Sequence, residues 1–168
     1  AVRALLAEGY RRPLCLHLPE GHLATTRRRQ GLERACREAG LDPDGLAHSY
    51  MALGDEHYRD IPAVLLAHMQ NGIPRFDAVI CGNDRIAFMV YQTLLGQGLR
   101  IPDDVAVIGY DNMVGIGELF LPPLSTVQLP HYEIGRLSAL HIINGEEHQE
   151  TTRVESPFLP RDSVAHAT

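Results

Sequence analysis

The chain has 168 residues, 45% of them hydrophobic and 21% charged, the composition of an ordinary globular chain with enough apolar material for one sizeable core. A net charge of -6 and a pI near 5.8 argue against a nucleic-acid footprint, which needs clustered Lys and Arg beyond local neutralisation. No apolar run approaches the roughly 18 residues of a membrane span; the three cysteines, Cys15, Cys36 and Cys81, are odd in number, lack metal-ligand spacing and fit a reducing cytoplasm.

AVRALLAEGY predicts a short helix ending at Gly9. It lacks the basic flank and cleavage site of an export signal, and with no methionine at position 1 the chain is expected to be part of a longer one. Pro13 to Leu18 (PLCLHL) reads as a buried strand. Thr25 or Thr26 is placed to cap a helix whose Leu32, Ala35, Cys36 and Ala39 share one side, with Gly40 as its stop and Asp42-Pro43-Asp44-Gly45 as the following turn. His48 to Leu53 is a weaker strand, and Asp60 caps a helix through VLLAHM with Pro62 in its first turn.

Asp77 to Cys81 (DAVIC) is the next strand. A helix from about Arg85 to Gln97 follows, stopping near Gly98, and then the strand Val105 to Gly109 (VAVIG). Continuous Val/Ile/Leu strands alternating with amphipathic helices specify an α/β fold, a Rossmann-like parallel sheet flanked by helices. Beyond Gly109 lie a loop through Pro122-Pro123, a short strand near Ser125 to Leu129, a helix from about Tyr132 to Asn144 and an extended segment, Thr152 to Leu159.

Ligands of an open parallel sheet bind beyond the carboxyl ends of its strands. Asn83 and Asp84 follow DAVIC, Asp111 and Asn112 follow VAVIG, and Arg27 to Arg29 open the helix after the first strand. Carboxylate, amide and guanidinium together suit a polyol or similar polar ligand. The competing reading makes Asn83 and Asp84 helix caps, Arg28 a solvated helix position, and Phe88 and Phe120 core residues. The histidines His17, His22, His48, His57, His68, His131, His141, His148 and His166 form no H-E-x-x-H and no pair with Cys at ligand spacing, so no metal is expected. Ser125, His131 and Asp111 form a triad in name only, Ser125 lacking a G-x-S-x-G turn. No cofactor is expected either, since G-x-G-x-x-G and the P-loop pattern are absent.

CGNDRIAF, GLRIPDDVAVIGYDN, LPPLSTVQLP and a late R-D-S, in that order, resemble the effector-binding half of a LacI/GalR-type transcription regulator, and GYRRPLCLHLPE with TTRRRQGLERACREAGL extends the resemblance over nearly the whole chain. The resemblance implies one lobe of a two-lobed, periplasmic-binding-protein-like clamp: residues 1–127 as the C-terminal lobe, 128–151 as a crossover and helix normally belonging to the other lobe, and 152–168 as a terminal extended segment and tail. It implies that Arg28, Asn83 and Asp111 hydrogen-bond a sugar-like effector and that Phe88 and Phe120 face a second copy in a homodimer. Met89 stands where the family often has glycine and Leu129 where glutamine is common; His131, just beyond, is a candidate for the ligand-facing role there. The implied function is a non-enzymatic, cytoplasmic sensor, touching operator DNA only through an amino-terminal headpiece outside this chain. The alternatives are a sugar-binding protein of an ABC-type transport system and, on fold alone, an α/β enzyme.

Overall fold

In the computed structural model, which describes residues 1–54, 58–113, 115–145 and 151–165, the elements run in chain order as α1 (Val2–Ala7), β1 (Pro13–His17), α2 (Leu23–Glu38), β2 (Ala47–Tyr50), α3 (Ile61–Ala67), β3 (Met69–Gln70), β4 (Ile73–Pro74), β5 (Ala78–Cys81), α4 (Asp84–Gly96), β6 (Ala106–Ile108), β7 (Thr126–Val127), α5 (His131–Asn144) and β8 (Phe158–Leu159). Four strands form a parallel sheet in the order β2-β1-β5-β6, in register through Leu14↔Ala47, Leu14↔Val79 and Val79↔Val107. This is the parallel α/β sheet that the alternating apolar runs specify.

Side chains alternate across the sheet, so each strand supplies both faces. Leu14, Leu16, Val79, Cys81 and Val107 pack against Ile61 and Leu65 of α3 and Ile86, Val90 and Leu94 of α4. On the other face, Cys15 meets Leu6, Leu32 and Cys36, while Ala78, Ala106 and Ile108 meet Leu5. Each fully buried Leu or Ile contributes about 1.5–3 kcal/mol relative to exposure, and this two-sided burial fixes where each strand ends.

Two helix boundaries and one cap differ from the sequence expectation. The helix α2 begins at Leu23 with no side-chain cap; Thr25 lies inside it and its Oγ1 donates instead to the Pro19 carbonyl at 3.0 Å. Asp60 precedes α3 without a side-chain capping bond. The same helix stops at Ala67, and Met69 pairs with Pro74 in a two-stranded hairpin, where the apolar pattern of VLLAHM predicts that the helix runs on.

The carboxyl-terminal stretch is fastened rather than loose. Strand β8 pairs antiparallel with β7, and Ser163, fully buried, accepts from Ser125 N at 2.7 Å and donates to the Val107 carbonyl at 2.6 Å. Arg161 donates to the Leu124 carbonyl and to Asn112 Oδ1. These two residues are the R and S of the late R-D-S. Helix α5 is the exception to the packing: none of its residues is buried, and Tyr132, Ile142 and Ile143 are more than three-quarters exposed.

Candidate functional site

Strands β1, β5 and β6 end side by side, and their carboxyl edge carries His17, then Gly82-Asn83-Asp84, then Gly109-Tyr110-Asp111-Asn112. Helix α2 brings Arg28 over the same edge. Its Nη1 donates to the Gly82 carbonyl, its Nη2 stands 3.8 Å from Asp111 Oδ1, and its guanidinium carbon lies 3.8 Å from the centre of the Tyr110 ring. One arginine thus touches two strand-helix junctions at once. The cation–π contact and the carbonyl bond fix its plane, while 3.8 Å to the carboxylate leaves donors of Arg28 and acceptors of Asp111 incompletely paired.

The Asp111 carboxyl is pushed above the ordinary aspartate range mainly by burial, with the Arg28 charge as the leading opposing influence. Its backbone is held in an unusual conformation, φ 113°, by bonds on both sides: Asp111 N donates to the Val127 carbonyl at 2.9 Å, and Leu129 N donates to the Asp111 carbonyl at 3.2 Å. A non-glycine residue at positive φ costs about 1–3 kcal/mol and persists where its surroundings over-determine it. Here those surroundings are the strand leading out toward α5.

Asn83 sits at the same edge, yet its amide is engaged internally. Oδ1 accepts from Ile86 N at 2.8 Å, capping α4, and Nδ2 donates to the Tyr58 hydroxyl at 2.8 Å. The capping reading therefore holds for Asn83; what it retains for a ligand is one amide hydrogen and one lone pair. Asp84, also read as a cap, serves elsewhere: 1% exposed, it accepts from Thr126 Oγ1 at 2.7 Å and Met113 N at 2.9 Å. Burial raises its carboxyl, and those bonds, a further one from the Tyr110 backbone and the Arg161 charge oppose the rise. Asp84 thereby ties the β5 junction to the loop after β6 and to β7.

A cavity of about 400 Å³ opens beside Arg28, its edge portion lined by Leu16, His17, Thr25, Gly82 and Tyr110, and it continues behind the sheet toward α1. Of the four predicted ligand residues only Arg28 lines it, while Asn83, Asp111 and His131 do not; His131 begins α5, is exposed and acts on Asp111 electrostatically. Arg28 and Asp111 are thus brought together, Asn83 joins them through Gly82, and His131 stands at the margin. Tyr110 and His17 were missed by the sequence reading; the aromatic directly after a strand-ending glycine and the lone imidazole closing an apolar strand were the available signals.

Phe88 is half exposed whereas Phe120 is 8% exposed, in the core. The rings meet edge to face at 6.0 Å, and Tyr91 braces Phe120 from behind at 4.8 Å. Beside Phe88 lies a second cavity of about 330 Å³ lined by Tyr58, Asp84, Arg85, Met89, Met113 and Ile116. Leu119 and Leu121 add exposed apolar surface nearby in sequence.

Ser125 is fully buried, its Oγ donating to the Arg161 carbonyl and accepting from Arg161 N, so its hydroxyl is a structural bridge. Among the described residues, no group of three or more His, Cys, Asp and Glu is arranged to hold a metal ion; His57, His148 and His166 lie outside them. Among the described residues, no helix is long and apolar enough to cross a membrane.

The profile of the family described as periplasmic binding proteins and sugar-binding domain of the LacI family matches residues 1–162. The sucrose operon repressor of Shigella flexneri is 58% identical over 160 residues, covering 95% of this chain and 48% of that protein. The ribose operon repressor of Escherichia coli K12 is 35% identical, covering 82% of this chain and 40% of that one. The chain therefore spans about half the length of these curated relatives. Among solved structures, a LacI family transcriptional regulator from Enterococcus faecium with bound ribose superposes with a TM-score of 0.81 at 28% identity, over 98% of this chain and 60% of that one.

Proposed function

The chain belongs to the family of periplasmic binding proteins and LacI-type sugar-binding domains, and from that premise we propose that it is the effector-sensing lobe of a cytoplasmic transcriptional repressor that binds a sugar. The observation that carries the reading is the convergence of Arg28, Asp111 and the Gly82 carbonyl at one sheet edge; a regulator of similar fold is described with bound ribose. Asp111 accepts from ligand hydroxyls, Arg28 donates, and Asn83 offers its remaining amide hydrogen and lone pair. His131 closes the margin. Relatives named as operon repressors favour a regulator over a transport protein.

In this reading α5 belongs to a second lobe, which accounts for its exposed Tyr132, Ile134, Ile142 and Ile143. Two copies associate through Phe88, held in place by Phe120. Operator DNA is contacted by a segment outside this chain, because the chain itself is acidic overall. A ligand that binds the closed arrangement of two lobes better than the open one shifts that equilibrium by its differential affinity.

Calorimetric titration with sucrose, fructose, glucose and ribose tests the reading. We expect at least one sugar to bind, and Asp111→Ala and Arg28→Ala each to weaken it by more than tenfold with the fold intact by circular dichroism. Absence of binding for all four sugars, or catalytic turnover of any of them, overturns it.

A further inference from the structure

The edge of the cavity also holds an imidazole with no part in the arrangement above. His17 closes β1, is 7% exposed, and lines the cavity together with Arg28, Gly82 and Tyr110. Its Nε2 lies 2.8 Å from His48 Nδ1. The two ring planes are 10° apart with centroids separated by 5.1 Å, so the rings lie nearly coplanar, edge to edge, with the shared proton along the lone-pair direction of its acceptor.

The far end of this pair decides which ring donates. His48 Nε2 is 3.2 Å from the Pro43 carbonyl, and a carbonyl only accepts, so His48 carries its proton on Nε2 and its Nδ1 is a lone pair. His17 must then donate from Nε2, leaving its Nδ1 unprotonated. The ring cannot swivel freely: Tyr50 stacks on it at 4.8 Å, with the Tyr50 hydroxyl accepting from Arg29 and Arg29 bound to Glu33 at 2.8 Å. Protonation at neutral pH is suppressed too: burial first, with the Arg29 charge adding to it, holds the imidazole down at about 4, with Glu33 opposing.

No described residue donates to His17 Nδ1, and no buried side-chain nitrogen or oxygen among the described residues lacks a partner. The ring that carries this nitrogen lines the cavity. We propose that His17 is a specificity-determining residue of the sugar site, its Nδ1 accepting a hydrogen bond from one ligand hydroxyl. This rests on the sugar-binding reading and sharpens it: the His48 bond locks the tautomer, so the position accepts and does not donate. A hydroxyl fits there. A carbonyl or carboxylate oxygen of the ligand does not.

Nitrogen-15 NMR of the imidazoles, with sucrose, fructose, glucose and ribose as probes, tests this on the unaltered protein. We expect the His17 Nδ1 resonance of a bare imine nitrogen from pH 6 to 8, moving upfield when a bound sugar saturates. Calorimetry on His17→Leu should show that sugar weakened about tenfold, the worth of one such bond (about 1.4 kcal/mol), with part recovered in His17→Gln, which restores an acceptor. A proton on Nδ1, a resonance unmoved at saturation, or unchanged affinity in His17→Leu overturns the assignment while leaving the sugar reading standing. Failure of the unaltered protein to bind any of the four sugars removes both.

Discussion

Gly109→Ala isolates the contact on which the edge depends. A methyl built at Gly109 overlaps Asp84 Oδ1 outright, approaches Leu124 Cδ2 to 2.8 Å and Thr126 Oγ1 to 3.2 Å. None of these neighbours can retreat: Asp84 is 1% exposed, and Leu124 and Thr126 are fully buried. Overpacking of this kind costs about 1–3 kcal/mol, and pushing Asp84 off Thr126 or Met113 forfeits a hydrogen bond to a buried carboxylate, about 1.5–3 kcal/mol. Together they amount to about 2.5–6 kcal/mol, a fall of roughly 5–24 °C in melting temperature for a chain of this size. Gly96→Ala is the control, because its added methyl meets nothing within 4 Å and its φ is not in the left-handed region; there alanine should stabilise by about 0.4–1 kcal/mol. Differential scanning calorimetry of both variants decides. A Gly109→Ala protein melting within a degree of the parent would show that the packing about Asp84 is not what holds the junctions together.

Ser163→Ala leaves two buried backbone groups, Ser125 N–H and the Val107 carbonyl, without their side-chain partner at about 1–3 kcal/mol each. Urea unfolding should show a lowered midpoint at unchanged slope, and an unmoved midpoint counts against the fastening role of the tail. The thiols Cys15, Cys36 and Cys81 are buried and burial raises all three, Cys15 to about 12; iodoacetamide at pH 8 should leave them unmodified until denaturant is added, and rapid native labelling refutes this. His17, held down at about 4 from the usual 6.5, is a base whose folded-state value is depressed. Its contribution is fully present above pH 6.5 and is lost as pH falls toward 4, so the melting temperature should fall more steeply with pH in that window than it does in His17→Gln; the same pH dependence in both proteins refutes the assignment.

The architecture was legible because each strand is a short continuous run of Val, Ile, Leu and Cys bounded by polar or glycine residues, as at Ala78–Cys81 and Ala106–Ile108. Glycine marked the helix ends for the same local reason: Gly9, Gly40 and Gly98 all sit at positive φ. The hairpin at Met69 was not legible, since VLLAHM carries the apolar pattern across the point where Asn71 and Gly72, both at positive φ, turn the backbone. The start of α2 was misplaced because threonine is a favoured cap in isolation, and only the folded path of Pro19 gives Thr25 another partner.

At the candidate site, spacing alone indicated an edge, and the family resemblance singled out Arg28 from three consecutive arginines. The contact with Asp111 joins residues far apart in the chain, and no local pattern carries that. His17 was invisible for the same reason, since its meaning depends on a histidine on the neighbouring strand. Neither the capping nor the ligand reading of Asp84 anticipates its role, because its acceptors point away from its own helix, toward Met113 and Thr126.

Strand β7 leads out toward α5 and β8 returns hydrogen-bonded beside it, Thr126 opposite Leu159 and Val127 opposite Phe158. The excursion between them consequently begins and ends at the same spot, like a drawer fixed to its cabinet by two rails. Both ends of that excursion are therefore tied to one place on the sheet edge. Asp111 is bonded through its backbone to the outgoing rail, so the candidate site and the root of the excursion share one anchor.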